Sequence, residues 1–247
     1  MSVSNPVALV TGGAKRVGRA ISLELARAGY DIAVHFRESR PEAESLAEEL
    51  SLLGRRAEII HGELADPTAW PVVISETVNR LGRLDVLINN ASQFSTDSSD
   101  TLERFDLATW ERMLRVNLTA PVALCHYAAR HLAKSGAGCI VNLCDISIAH
   151  PWPDHLAYEA SKAALATITK ALARALAPSV RVNGVALGIA VFPESYSESF
   201  RESLVRRVPL GRAGTPEDVA GAVRFLVESA PYVTGEIIAV DGGRSVA

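Results

Sequence analysis

Short apolar runs rich in β-branched residues alternate along the chain with longer segments in which apolar positions recur at helical spacing. The runs cover residues 7–11, 32–36, 57–61, 86–89, 139–143, 180–186 and 236–240, with few polar interruptions. A strand with one wet face alternates polar and apolar positions, whereas a strand covered on both faces does not. Helical patterns are legible between the runs at 19–28, 42–53, 110–134 (with Pro121 inside it) and the alanine-rich 156–177. This alternation predicts an α/β fold: one doubly wound domain, with a mostly parallel seven-stranded sheet and helices on both faces. No low-complexity linker or internal repeat divides the chain, so residues 1–247 are expected to form a single domain. Residues 188–214, polar around 194–199, fit none of these elements and read as a candidate lid over a site.

Composition agrees with that picture and narrows the function. The 247 residues are within reach of one α/β domain, and 48% hydrophobic against 21% charged residues gives ample material for a core. The formal net charge is −3, and Lys and Arg are scattered among acids, so there is no basic stripe for nucleic acid. No window of about 18 uncharged apolar residues suggests a membrane helix, and residues 1–6 carry no targeting pattern, so a cytoplasmic location is expected. Cys125, Cys139 and Cys144 lie in apolar runs without paired spacing and read as buried thiols, and the six histidines form no metal-like cluster.

The first strand runs directly into Thr11-Gly12-Gly13-Ala14-Lys15-Arg16-Val17-Gly18 and then into a helical pattern. Glycines there let the backbone turn tightly against a pyrophosphate, and free amides at the helix start point at the anion. Arg16 stands where a middle glycine is usual, and adds a fixed cation beside a diphosphate or a substrate. After the second strand the chain reads His35-Phe36-Arg37-Glu38-Ser39-Arg40. Two arginines, a histidine and a hydroxyl at that place favour the 2′-phosphate of NADPH, while Glu38 lies where an NAD-type acid can fall.

In the alanine-rich helix, Tyr158 and Lys162 are four apart and share a face. A phenol beside an ammonium is a candidate proton donor, although the pair alone is weak evidence. With the glycine turn, Asn89-Asn90-Ala91, Asn117, Arg181-Val182-Asn183, Val233-Thr234-Gly235 and Asp241-Gly242-Gly243, the chain resembles the short-chain dehydrogenase/reductase family over nearly its full length. The resemblance implies a Rossmann fold with Tyr158 as acid or base. It also implies that Lys162 orients the nicotinamide ribose and lowers the Tyr158 pKa, and that Asn117 holds a relay water. It further implies that Gly12, Arg16, Val17, Gly18, His35, Phe36, Arg37, Ser39, Asn89, Ala91 and Gly188 bind the cofactor, with Glu63 and Leu64 near the adenine. Leu187 replaces a proline usual beside the nicotinamide.

Asp145 stands 13 residues before Tyr158, where the family usually has a serine. A serine can donate to a carbonyl oxygen; a carboxylate can only accept and repels it. Within the family, the chain is similar in this respect to pteridine reductases and dihydromonapterin or dihydrofolate reductases, which share the Asp, the Arg16 position and an aromatic like Phe94. That likeness implies a pterin substrate sandwiched by Phe94 against the nicotinamide and contacted by Arg16 and Ser92, with Asp145 and Tyr158 binding it and supplying protons as hydride reduces a ring C=N bond. The alternatives are a carbonyl reductase of the same family acting on a 3-oxoacyl thioester or a sugar, with Ser147 assisting, and a non-catalytic NADPH-binding regulator. Ala160, Ala163, Ala164 and Ala171 suggest helix-on-helix packing in a homotetramer, although alanines also pack within one subunit.

Overall fold

The computed structural model describes residues 5–94 and 101–247. Strands β1 (Val7–Val10), β2 (Asp31–Phe36), β3 (Ala57–His61), β4 (Val86–Asn89), β5 (Gly138–Asp145), β6 (Val180–Leu187) and β7 (Ile237–Val240) form one sheet in the order β3-β2-β1-β4-β5-β6-β7. Every neighbouring pair is parallel. The inner strands β1, β2 and β4 are buried at every position, which is why their sequences lack polar alternation. The edge strands β3 and β7 are only half-buried.

Helices α1 (Arg16–Arg27), α2 (Arg40–Leu52) and α8 (Pro216–Arg224) close one face of the sheet over a core that includes Leu25, Leu46 and Val223. Helices α3 (Ala69–Leu81), α5 (Ala120–Ser135) and α6 (Leu156–Leu176) close the other, over Ile74, Leu124 and Ala173. Strand order reverses between β1 and β4, so the loops after these two strands part and leave a crevice at their carboxyl ends. Arg181 and Asn183 are structural. Arg181 donates to the carbonyls of Leu226, Val227 and Ala230, and Asn183 donates to Val233 O, tying β6 to the turn of π-helix Phe225–Ser229 and the loop beyond it.

Two segments differ from the sequence expectation. The long helix expected over 110–134 is two helices, α4 (Leu107–Leu114) and α5, joined by one turn of π-helix, Arg115–Thr119. Pro121 has no N–H to give the carbonyl four residues back, and the ladder widens there. Residues 188–214 contain a short helix, α7 (Glu198–Val205), with no buried residue, so it has no core-facing stripe to be read from sequence. The segment is pinned at its base, where Gly214 N donates to Ile189 O at 2.8 Å and Gly188 N to Val240 O at 3.0 Å.

Candidate active site

The crevice is lined at its floor by the glycine turn. Gly12 N donates to His35 Nδ1 at 3.1 Å and Gly13 N to His35 O at 2.9 Å, so β2 holds the turn from below. A Cβ on Gly18 would lie 2.2 Å from Gly12 O, so no larger residue fits. Arg16 has φ +50°, a left-handed conformation that a glycine adopts freely and that adds of order 1–3 kcal/mol of strain in other residues. The arginine therefore occupies a glycine's backbone conformation while adding a cation. The first turn of α1 has no acidic residue and its N-cap, Lys15, makes no side-chain cap, so its amides are open to an anion. This donor set, with Lys15 and Arg16 beside it, fits a diphosphate.

The cleft above this turn has a volume of about 510 Å³. Gly12, Arg16, Val17, Gly18, Phe36, Arg37, Ser39, Glu63, Leu64, Ala91, Ser92 and Phe94 all line it. Arg37 lies 3.1 Å from Glu38 and 3.8 Å from Glu63, both exposed pairs that are worth little in water. Among the described residues Arg16 makes no ion pair.

Several expected roles are corrected. His35 lines the cleft but is not a cation for a phosphate. Burial pushes its pKa from 6.5 down to about 4, and both ring nitrogens are engaged, Nδ1 by Gly12 N and Nε2 by Gly62 O at 3.1 Å. Because the unfolded ring gains a proton first, stability is fully present above pH 6.5 and falls as the pH drops to 4, by about 3 kcal/mol. His35→Asn keeps an acceptor for Gly12 but does not titrate. Denaturant unfolding across this pH range should therefore show a loss in the wild type that is smaller in the variant by about that amount.

Asn89 does not line the cleft; its amide points into the core and donates to Asn142 Oδ1 at 2.8 Å. The residue that meets the turn is its neighbour Asn90, whose Nδ2 donates to Thr11 O at 2.8 Å and Gly12 O at 3.1 Å. Gly188 lies in a second, adjoining cleft, where a Cβ would come within 2.7 Å of Asp241 Cα. Ser92 lines the first cleft and donates to Asn117 Oδ1 at 3.3 Å rather than facing the second.

The second cleft, of about 460 Å³, contains Arg16, Phe94, Asp145 and Tyr158. Tyr158 OH donates to Asp145 Oδ2 at 2.8 Å, and Asp145 Oδ1 accepts from Ser147 N at 2.8 Å. Phe94 packs edge-on against Tyr158 with ring centroids 5.0 Å apart, and Arg16, Phe94 and Leu187 line both clefts. Lys162 is buried and lines neither cleft; its Nζ donates to Leu143 O at 2.7 Å and stands 5.7 Å from the Tyr158 ring centroid.

The expected lowering of the Tyr158 pKa by Lys162 does not set its net direction. Burial, followed by the Asp145 carboxylate, raises it well above the usual phenol range, so Tyr158 is held protonated. Burial likewise lowers the pKa of Lys162. The Asn117 side chain holds no relay water, because its amide is fully used. It donates to Gln93 O at 2.9 Å and Ser161 Oγ at 3.1 Å, and accepts from Gln93 N and Ser92 Oγ. It clamps the segment that carries Phe94. Ser147, the hydroxyl considered for carbonyl assistance, is buried outside both clefts. Sequence reading missed Trp152 and His155; the His155 ring meets Trp152 edge-on and Phe94 at a tilt, at centroid distances of 5.8 and 4.8 Å.

A parallel sheet of this order, a glycine turn under its reversal point, and a Tyr and Lys four apart on α6 define an NAD(P)-dependent oxidoreductase, and the chain belongs to the short-chain dehydrogenase/reductase family. The family model described as enoyl-(acyl carrier protein) reductase matches residues 12–245. Among solved structures, the chain is similar to FolM alternative dihydrofolate reductase 1 from Brucella canis complexed with NADP, at 34% identity and TM-score 0.90, covering 100% of this chain and 97% of that one. The protein of the same description from Brucella suis, also in complex with NADP, gives 33% identity and TM-score 0.92, covering 99% and 97%. Among curated proteins, 3-oxoacyl-(acyl-carrier-protein) reductase FabG of Staphylococcus aureus is 34% identical, covering 96% of each chain. Cis-4-hydroxycyclohexanecarboxylate dehydrogenase of Sinomonas cyclohexanicum is 36% identical, covering 96% of this chain and 95% of its own. Among the described residues no helix is long and apolar enough to cross a membrane, and no His, Cys, Asp and Glu cluster fits a metal.

Proposed function

We propose that the protein is an NADPH-dependent reductase that transfers hydride to a pterin, such as a dihydropterin, dihydromonapterin or dihydrofolate. The observation that carries this reading is the Tyr158 hydroxyl bonded to Asp145 at 2.8 Å, with the Phe94 ring beside it. A carboxylate next to a developing alkoxide repels it, which disfavours a ketone. The same carboxylate accepts from the amino and ring N–H groups of a pterin, and an aromatic wall suits the flat ring.

NADPH, when bound, supplies the hydride to the carbon of a ring C=N. Tyr158 gives its proton to the nitrogen of that bond, Asp145 orients the phenol and the ring, and Lys162, held on Leu143 O, lies beneath Tyr158. Asn117 acts as a positioning residue through residues 92–94; a relay water would rest against its main-chain carbonyl, which Pro121 cannot bond. Arg37 and Ser39 at the end of β2 support recognition of the 2′-phosphate, as do the NADP-bound Brucella neighbours. The Ala163 and Ala171 positions left exposed on α6 support a homotetramer, which light scattering would read as four chains.

The test is NADPH oxidation with dihydrobiopterin, dihydromonapterin, dihydrofolate and an acetoacetyl thioester, each repeated with NADH. Turnover of pterins with NADPH supports the proposal. Turnover of the thioester alone would return the chain to the carbonyl reductases that it resembles in sequence.

A further inference from the structure

The second cleft carries charge that transfer of hydride and a proton to a flat ring does not use. Two guanidinium groups, Arg207 and Arg244, stand in its wall, next to Tyr196 and Phe200. They are far apart in sequence and are brought together by a docked C-terminal turn. Asp241 accepts from Gly243 N at 2.9 Å and Ser245 N at 2.7 Å, which winds Arg244–Val246 into one 3₁₀ turn. Leu210 N donates to Gly242 O at 3.1 Å, and a Cβ on Gly242 would come within 2.6 Å of Val208 Cγ1. The chain just after Arg207 and the chain just before Arg244 are therefore in backbone-level contact.

Nearby arginines have carboxylate partners: Arg206 lies 3.9 Å from Glu202, and Arg212 lies 2.7 Å from Asp218. Among the described residues, Arg207 and Arg244 make no ion pair. The carboxylates that act on Arg244 from a distance, Asp145 and Asp241, are already bonded, the first to Tyr158 and Ser147 and the second to backbone amides. Burial and the neighbouring charge of Arg207 both disfavour the charged form of Arg244. Two cations held close together without an anion, facing a cavity, are complementary to one.

We propose that Arg207 and Arg244 form an anion-binding subsite that takes a carboxylate or phosphate on the tail of the substrate. That the ring bearing this tail is a pterin rests on the reading above; recognition of the anion does not. A planar fork on each arginine suits both anions, and the neighbouring aromatic side chains suit an apolar linker between ring and charge.

Two measurements test this on the NADP-loaded protein and its Arg207→Gln, Arg244→Gln and double variants. In the first, p-aminobenzoylglutamate and phenyl phosphate, which have no pterin ring, are titrated calorimetrically. Binding by the wild type that is lost in the double variant is expected, and the stronger of the two ligands identifies carboxylate or phosphate as the natural anion. In the second, KM is compared for dihydrofolate, dihydroneopterin phosphate and uncharged dihydrobiopterin. Each single variant should raise KM for the substrate bearing the preferred anion about ten- to hundredfold, so that its selectivity over dihydrobiopterin falls by the same factor while kcat holds. No tail binding by the wild type, tail binding unchanged in the double variant, or equal KM changes for charged and uncharged pterins would overturn the subsite. If no pterin turns over yet the titration depends on the two arginines, the pterin reading fails and the subsite stands.

Discussion

Tyr158→Phe is expected to lower kcat about 10³-fold while leaving the Kd for NADPH within about twofold. The substitution removes one oxygen. That oxygen donates to Asp145 Oδ2, at 2.8 Å, and the ring that remains keeps its edge contact with Phe94 and its place above Lys162. The cofactor cleft, built on the glycine turn, does not include Tyr158 among its lining residues. The loss should therefore fall on the proton delivered to the substrate and spare cofactor binding. Because burial and Asp145 keep the phenol protonated well above its usual range, wild-type reduction should not fall through Tyr158 ionisation at neutral pH. Stopped-flow turnover with fluorescence titration of NADPH checks both halves. A collapse of NADPH affinity, or turnover that survives the change, would remove Tyr158 from the role of proton donor.

How far the molecule is legible in sequence depends on whether a residue's role is set by its local pattern or by its neighbours in space. The strands are legible because burial on both faces turns them into apolar runs with few polar interruptions, and the glycine turn because Gly12 and Gly18 leave no room for a side chain. Asn89 and Asn90 show the limit. Successive strand residues face opposite ways, so one of the pair enters the core and the other meets the turn, and sequence does not say which. His35 shows another. The residue type suggests a donor for a phosphate, whereas full burial converts the ring into a neutral strut between Gly12 and Gly62. Arg207 and Arg244 are two of 25 basic residues, and only the contact between 208–210 and the C-terminal turn gives them a shared place. Pro121 accounts for the π turn at Asn117 that sequence reading took as continuous helix, and the turn's effect, to aim the amide at Gln93, is encoded by no spacing rule.

Asp145 decides between the pterin and carbonyl readings, and its replacement should separate them by a factor of about 10³ in relative kcat/KM. It closes β5, and the strand fixes its carboxylate with one oxygen on Ser147 N and the other on Tyr158 OH. Asp145→Asn keeps the shape and the Ser147 contact but turns a donor toward the Tyr158 hydroxyl, so the phenol loses its acceptor and a pterin loses the group that accepts its N–H bonds. The Asp145 charge, which adds to burial in raising the Tyr158 pKa, disappears as well, while burial stays. The pKa falls back toward the ordinary phenol range, and the basic limb of any residual reduction moves to lower pH than in the wild type. Asp145→Ser goes further, because a hydroxyl there can donate to a carbonyl oxygen as it forms an alkoxide. The serine variant is expected to lose pterin turnover about 10³-fold relative to an acetoacetyl thioester, while the asparagine variant loses pterin turnover without that gain. The Asn variant also separates charge from fold: if it unfolds at the wild-type denaturant concentration yet has lost pterin turnover, the loss belongs to the carboxylate. Pterin turnover that is unchanged in both variants would make Asp145 incidental to the substrate, and Phe94 and Arg16 would then have to account for pterin recognition without it.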